Sequence, residues 1–162
     1  MKKKKSDRVA VTDDIKIGEE AIVSNIYLPQ RLKEQNLPLF LESVSAGFPS
    51  PADDYLEGKI DLNEYLIHNP AATFFVRVTG DSMNAAGIFS GDILIVDRSL
   101  HAKNNSIVIA AVNGELLVKR LSFSGEKLFL VAENKNYQPL EVTEEMNFET
   151  WGVVTSVIHF IK

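Results

Sequence analysis

Two side chains in this sequence have the chemistry to make and break a covalent bond. Ser82 lies in Gly80-Asp81-Ser82-Met83, and Lys119 follows 37 positions later in Leu116-Leu117-Val118-Lys119-Arg120-Leu121. A serine hydroxyl is a weak nucleophile until a base takes its proton. A lysine is a poor base while charged, but apolar surroundings disfavour the ammonium and move its pKa from about 10.4 toward neutrality. Strand alternation sets Leu117, Lys119 and Leu121 on one face and Leu116, Val118 and Arg120 on the other, so Lys119 shares its face with two leucines. Lysines on apolar strands also snorkel to water, and the spacing alone admits both a general base and an ordinary strand lysine. The turn around Ser82 adds weight to the first: Gly80, at a strand end, presents the hydroxyl and leaves the amides of Ser82 and Met83 for an oxyanion. A third element is Ala46-Gly47, ahead of Phe48-Pro49-Ser50-Pro51. It reads as a simple turn or as a narrow segment whose backbone enters a cleft, Gly47 offering little steric resistance to attack on the preceding carbonyl.

The elements that position these residues are mainly strands. Runs rich in Val, Ile and Phe predict strands over 73–78, 92–97, 106–112, 115–122, 127–132 and 150–161. Asn113-Gly114 tolerates the positive φ angles of a two-residue hairpin turn, so the strands on either side pair antiparallel. Asp61 reads as a helix cap with Glu64 three residues on, and Asn69-Pro70 closes that short helix. Residues 1 to about 58 are weakly patterned and interrupted by Pro29, Pro38, Pro49 and Pro51, which reads as a flexible or loosely docked arm with a short strand near 21–27. Short strands with no βαβ alternation predict a mainly β domain, a folded sheet or partly closed barrel.

Bulk composition narrows the function. With 162 residues, 45% hydrophobic and 24% charged, the chain suits one folded domain with an appendage. It has no cysteine, which excludes a disulfide framework, a thiol nucleophile and a cysteine-ligated zinc site. The run Lys2 to Lys5 is followed by charged residues instead of an apolar stretch, so no membrane segment is expected and a cytoplasmic setting is. Residues 1–46 carry eight basic and seven acidic residues, whereas 47–162 carry nine basic and fifteen acidic. An acidic body is a poor match to a phosphate backbone, so no direct sequence-specific DNA binding is expected. His68, His101 and His159 have no metal-ligand spacing, and neither a metal nor a cofactor is expected. The pairs Asp53-Asp54 and Glu144-Glu145 read as solvated charges, and Phe74, Phe75, Phe129 and Trp151 as core or dimer-interface aromatics. Glycines 80, 87 and 91 fit neither a phosphate-binding loop nor a dinucleotide fingerprint.

Taken jointly, Ser45-Ala46-Gly47-Phe48-Pro49-Ser50-Pro51-Ala52-Asp53-Asp54-Tyr55, Ile60-Asp61-Leu62-Asn63, Gly80-Asp81-Ser82-Met83, Gly91-Asp92-Ile93-Leu94-Ile95-Val96-Asp97, Val118-Lys119-Arg120-Leu121 and Gly152-Val153-Val154 resemble the LexA/UmuD family of Ser-Lys peptidases. The resemblance runs from about Leu37 to the C-terminus. It implies a mainly β, LexA-like peptidase domain over 47–162 and an arm, 1–46, that the chain removes itself. It further implies Ser82 as nucleophile, Lys119 as base and Ala46-Gly47 as the bond cut. In that family a RecA filament on single-stranded DNA promotes the cut, and the shortened homodimer serves a UmuC-type Y-family polymerase, polymerase V, in SOS mutagenesis. Residues 1–36 lie outside the resemblance, and Ala46 stands where some members have cysteine.

The same residues admit other functions. A LexA-like transcriptional repressor needs a helix-turn-helix module, and residues 1–46 hold no clean pair of amphipathic helices. A membrane signal peptidase shares the Gly-Asp-Ser-Met motif and lysine base, but the chain shows no transmembrane helix. A noncatalytic polymerase-binding module needs only a serine and lysine that never meet in space.

Overall fold

The computed structural model describes residues 20–27, 36–40 and 56–161. Within the described residues, ten strands and two short helical turns run in the order β1 (Ile22–Tyr27), β2 (Asn36–Phe40), β3 (Leu56–Asp61), α1 (Leu62–Leu66), β4 (Thr73–Thr79), a 3-10 turn (Asn84–Ala86), β5 (Ile93–Asp97), β6 (Ile107–Val112), β7 (Glu115–Ser124), β8 (Lys127–Val131), β9 (Leu140–Val142) and β10 (Phe148–Ile158). Strands β1, β4, β5, β10, β6 and β7 neighbour one another in that order, all antiparallel. The pairing of Ile22 with Leu117 joins β1 to β7 and closes a six-stranded barrel, from which β8 and β9 continue as an extension of β7. The mainly β expectation holds.

The predicted hairpin forms where expected. Asn113 (φ 51°) and Gly114 (φ 90°) take the left-handed conformation that a two-residue turn needs, and β6 and β7 pair from Ile107–Arg120 to Val112–Glu115. The alternation read for β7 also holds. Val118 joins a core cluster with Phe74, Val76, Val78, Met83, Leu94 and Val96, while Leu117 and Leu121 join a second with Val108, Ala110 and Leu130. Each fully buried side chain of this kind stabilises the fold by about 1.5–3 kcal/mol. Asp61 caps α1 as predicted, its carboxylate accepting from the Asn63 amide at 2.7 Å.

Two features depart from the sequence reading. Residues 36–40 and 56–61 pair as a separate two-stranded sheet inside what reads as a patternless arm. Pro38 sits opposite Lys59 there, and a strand with only one neighbour has no need of every N–H, so the proline that argues against a central strand is tolerated. And β1 is a stave of the barrel, where a loosely docked arm was expected. The strand β10 shifts register between Thr150 and Gly152 and again between Val154 and Ser156. A Cβ on Gly152 would stand 2.7 Å from Val96 Cγ1 and 3.1 Å from the Asp97 carbonyl oxygen, so the first bulge needs glycine to bring β10 against β5.

Candidate active site

Strand β4 ends at Thr79, and Gly80 turns the chain with φ 93°, a conformation that only glycine takes without strain. The next residues enter the 3-10 turn that stops at Gly87 (φ 76°). This short path carries Ser82 and Met83 into the interior, both fully buried, with Met83 packed in the first core cluster. The turn is braced from behind by the loop after β8. The Asn134 side-chain amide donates to the Asp81 carbonyl at 3.0 Å, the Ala85 amide donates to the Glu133 carbonyl at 2.8 Å, and the Tyr137 hydroxyl donates to Asp81 Oδ1 at 2.5 Å. Glu133 in turn pairs with Arg120, next to Lys119 on β7.

Lys119 is 4% exposed, and its Nζ lies 3.0 Å from Ser82 Oγ. The two residues singled out in the sequence are in contact, one in the turn after β4 and one on β7, the two strands that flank β1. Burial of this kind is not a snorkelling lysine. Two further groups complete the lysine's surroundings. Glu20 Oε2 stands 2.9 Å from Nζ, and the Tyr137 ring lies under the ammonium with its centroid 5.5 Å away, within range of a cation–π attraction. Ser82 Oγ also accepts the backbone N–H of Ala21 at 2.8 Å. The amides of Ser82 and Met83 are engaged by no acceptor among the described residues. A depression lined by Gly80, Asp81, Asn84, Phe89 and Ser90 opens beside the serine turn.

Chemically, such a pair can pass a proton from hydroxyl to amine, and two amides with no acceptor among the described residues, those of the serine and the residue after it, can stabilise an oxyanion. Ala46 and Gly47 lie outside the described residues, as do Asp53 and Asp54. Sequence reasoning did not point to Glu20, Ala21, Asn134 or Tyr137, which reach the site from distant parts of the chain without a motif of their own. The only hint was the short strand expected near residues 21–27.

The remaining candidates fall elsewhere. His159 Nδ1 meets Asp92 Oδ1 at 2.7 Å with its ring against Phe89, while His68 and His101 are exposed. No three His, Asp or Glu residues gather into a metal-sized cluster among the described residues. Glu144 and Glu145 are exposed, Phe74 is buried, and the Arg98 guanidinium lies over both Phe74 and Trp151. No described helix is long and apolar enough to cross a membrane.

An antiparallel β barrel with a buried serine hydroxyl against a lysine amine, and beside it two amides engaged by no acceptor among the described residues, defines a class: a serine endopeptidase of the Ser-Lys type. Residues 38–155 match the Peptidase S24-like family, and the chain belongs to that family. It is 47% identical over 123 residues to the protein ImpA of Salmonella typhimurium, an alignment covering 75% of this chain and 83% of that one. It is likewise 47% identical over 126 residues to SamA of Salmonella typhimurium strain LT2 (78% and 87% covered), and 42% identical over 121 residues to MucA of Escherichia coli (74% and 82% covered). The resemblance to the LexA/UmuD peptidases is thereby established. With it the chain is a serine endopeptidase, one of the self-cleaving Ser-Lys peptidases of the SOS response.

Proposed function

We propose that this chain cuts its own peptide bond between Ala46 and Gly47, with Ser82 as nucleophile and Lys119 as general base. The neutral Lys119 amine takes the Ser82 proton as Oγ bonds to the Ala46 carbonyl carbon, and the oxyanion rests on the amides of Ser82 and Met83. Collapse of that intermediate breaks the C–N bond, and the Lys119 proton passes to the departing Gly47 nitrogen. Water, activated by the freed amine, then hydrolyses the Ser82 ester and releases the arm. The observation that carries this reading is the buried 3.0 Å contact between Nζ and Oγ.

On this reading residues 1–46 are the removable arm and 47–162 the retained peptidase domain, working as a homodimer in the cytoplasm. A RecA filament on single-stranded DNA stimulates the cut, and the shortened product serves a UmuC-type Y-family polymerase in translesion synthesis. These partners follow from the family relationship, and the acidic body argues for action near DNA through proteins.

The test is mass spectrometry of the purified full chain. The parent loses residues 1–46 slowly, faster at alkaline pH because only a neutral amine accepts the serine proton, and faster again with RecA on single-stranded DNA. Ser82→Ala and Lys119→Ala leave the chain intact. A cut that persists in either variant removes both residues from the roles assigned here.

A further inference from the structure

Strand β1 does not sit in the barrel like its neighbours. Along β4, alternate side chains are buried, whereas Ile22, Ile26 and Tyr27 of β1 are between 43% and 46% exposed. What holds β1 is its backbone, paired with β4 from Ile22–Thr79 to Tyr27–Phe75, together with the partly buried Val23 against the core and the buried Ala21 just before the strand. This is how an extended peptide adds to a sheet edge, with ladder bonds for affinity and pockets for alternate side chains. The groove it fills lies between the strand that ends at the Ser82 turn and the strand that carries Lys119. At its head the Val118 amide donates to the Ala21 carbonyl at 3.0 Å, the Ala21 amide donates to Ser82 Oγ, and Glu20 meets Lys119.

That arrangement stops chemistry. A hydroxyl has two acceptor sites, and Ser82 Oγ accepts from both Ala21 N–H and Lys119, so neither lone pair faces a carbonyl carbon. Lys119 Nζ is turned to Glu20 Oε2 and donates to Ser82 Oγ, so in this arrangement it gives protons to its partners instead of taking one. The Glu20–Ala21 peptide points its N–H edge at Oγ, whereas attack on an amide comes over the face of its plane, so this bond is held without being cut.

We propose that the groove between β4 and β7 is a binding site for an extended peptide with an acidic residue followed by a small one, and that Glu20–Ala21 is its resident ligand, competing there with Ala46–Gly47. The Ala21 pocket takes a methyl group, which Ala46 also offers, while the carboxylate on Lys119 belongs to the resident alone, since Ser45 precedes Ala46. The competition rests on the cut proposed above; occupancy of the groove does not.

The test uses the full chain and two substitutions outside the catalytic pair. Glu20→Lys places like charge on Lys119, and Ala21→Pro deletes the N–H that Ser82 accepts. Hydrogen exchange of the amides of residues 22–27 reads occupancy, and exchange in β5, β6 and β10 reports that the barrel is folded. The parent should protect 22–27, both variants should lose about tenfold or more of that protection, and both should self-cleave about tenfold faster. A synthetic peptide of residues 17–28 added to the Glu20→Lys chain should slow its cutting, and the same peptide carrying lysine in place of glutamate should not. Rapid exchange of 22–27 in the parent overturns the proposal, as does lost protection with cutting unchanged or slower. If no chain is cut between Ala46 and Gly47, the proposed processing fails, and the exchange data alone decide whether Glu20–Ala21 holds the groove.

Discussion

Ser82→Ala and Lys119→Met should be equally inactive and differently stable. Removing the base costs about 10²–10⁴ in rate, and removing the nucleophile at least as much, so over the same interval neither variant should show a cut. Stability separates them because of what each leaves behind. In Lys119→Met the new side chain fills a similar volume, a change worth less than about 1.5 kcal/mol. Glu20 is 46% exposed and keeps its water, so its lost ion pair counts for no more than about 1 kcal/mol, and relief of the buried ammonium opposes that loss with a gain of several kcal/mol. Net, Lys119→Met should match the parent or exceed it by about 2 kcal/mol. In Ser82→Ala the ammonium stays buried, and the Ala21 amide, in a residue 1% exposed, loses its acceptor, which costs about 1–3 kcal/mol. Urea unfolding followed by circular dichroism measures both, and each kcal/mol corresponds to about 2–4 °C in Tm for a domain of this size. The reasoning is refuted if Lys119→Met proves the less stable of the two, or if it still cuts itself within tenfold of the parent rate.

Other expectations follow from single contacts. Gly152→Ala should destabilise by about 1–3 kcal/mol in urea, because its Cβ meets a β-branched side chain and a carbonyl oxygen, and Val96→Ala in the same chain should recover part of that loss. Asp61→Ala should lower stability by about 1 kcal/mol through the lost cap, with self-cleavage unchanged when assayed well below the unfolding temperature. Tyr137→Phe keeps the ring under Lys119 and loses the hydroxyl bond to Asp81, whereas Tyr137→Leu loses both. Self-cleavage should therefore fall in that order, and a leucine variant that cuts as fast as the phenylalanine one would show that the ring contributes nothing.

Much of this was legible in the residues themselves. Asn113-Gly114 announced its hairpin because only certain residues take positive φ twice in succession, and alternation around Lys119 correctly divided β7 between two core clusters. Local chemistry also placed the Asp61 cap. The meeting of Ser82 and Lys119 was legible only as a hypothesis, since neither spacing nor composition brings β4 beside β7; it is β1, wedged between them, that does so. Glu20 and Tyr137 could not have been read, because their partners lie 99 and 56 positions away or act through a ring face that leaves no pattern. Strand β2 was hidden by Pro38, and β9 by having only three residues. The twin bulges of β10 shift its register mid-strand, which alternation counting cannot follow.

The stave that closes the barrel lies upstream of the bond proposed to break. Severing the chain after Ala46 would remove no ladder bond between β1 and β4, so scission and departure become separate events with separate clocks. The first is set by proton transfer, the second by how often the six-residue β1 frays from its neighbours and β2 from β3. Until it leaves, a nicked molecule would keep the outline of an intact one; once it leaves, two bare strand edges face outward, ready for whichever extended chain arrives next.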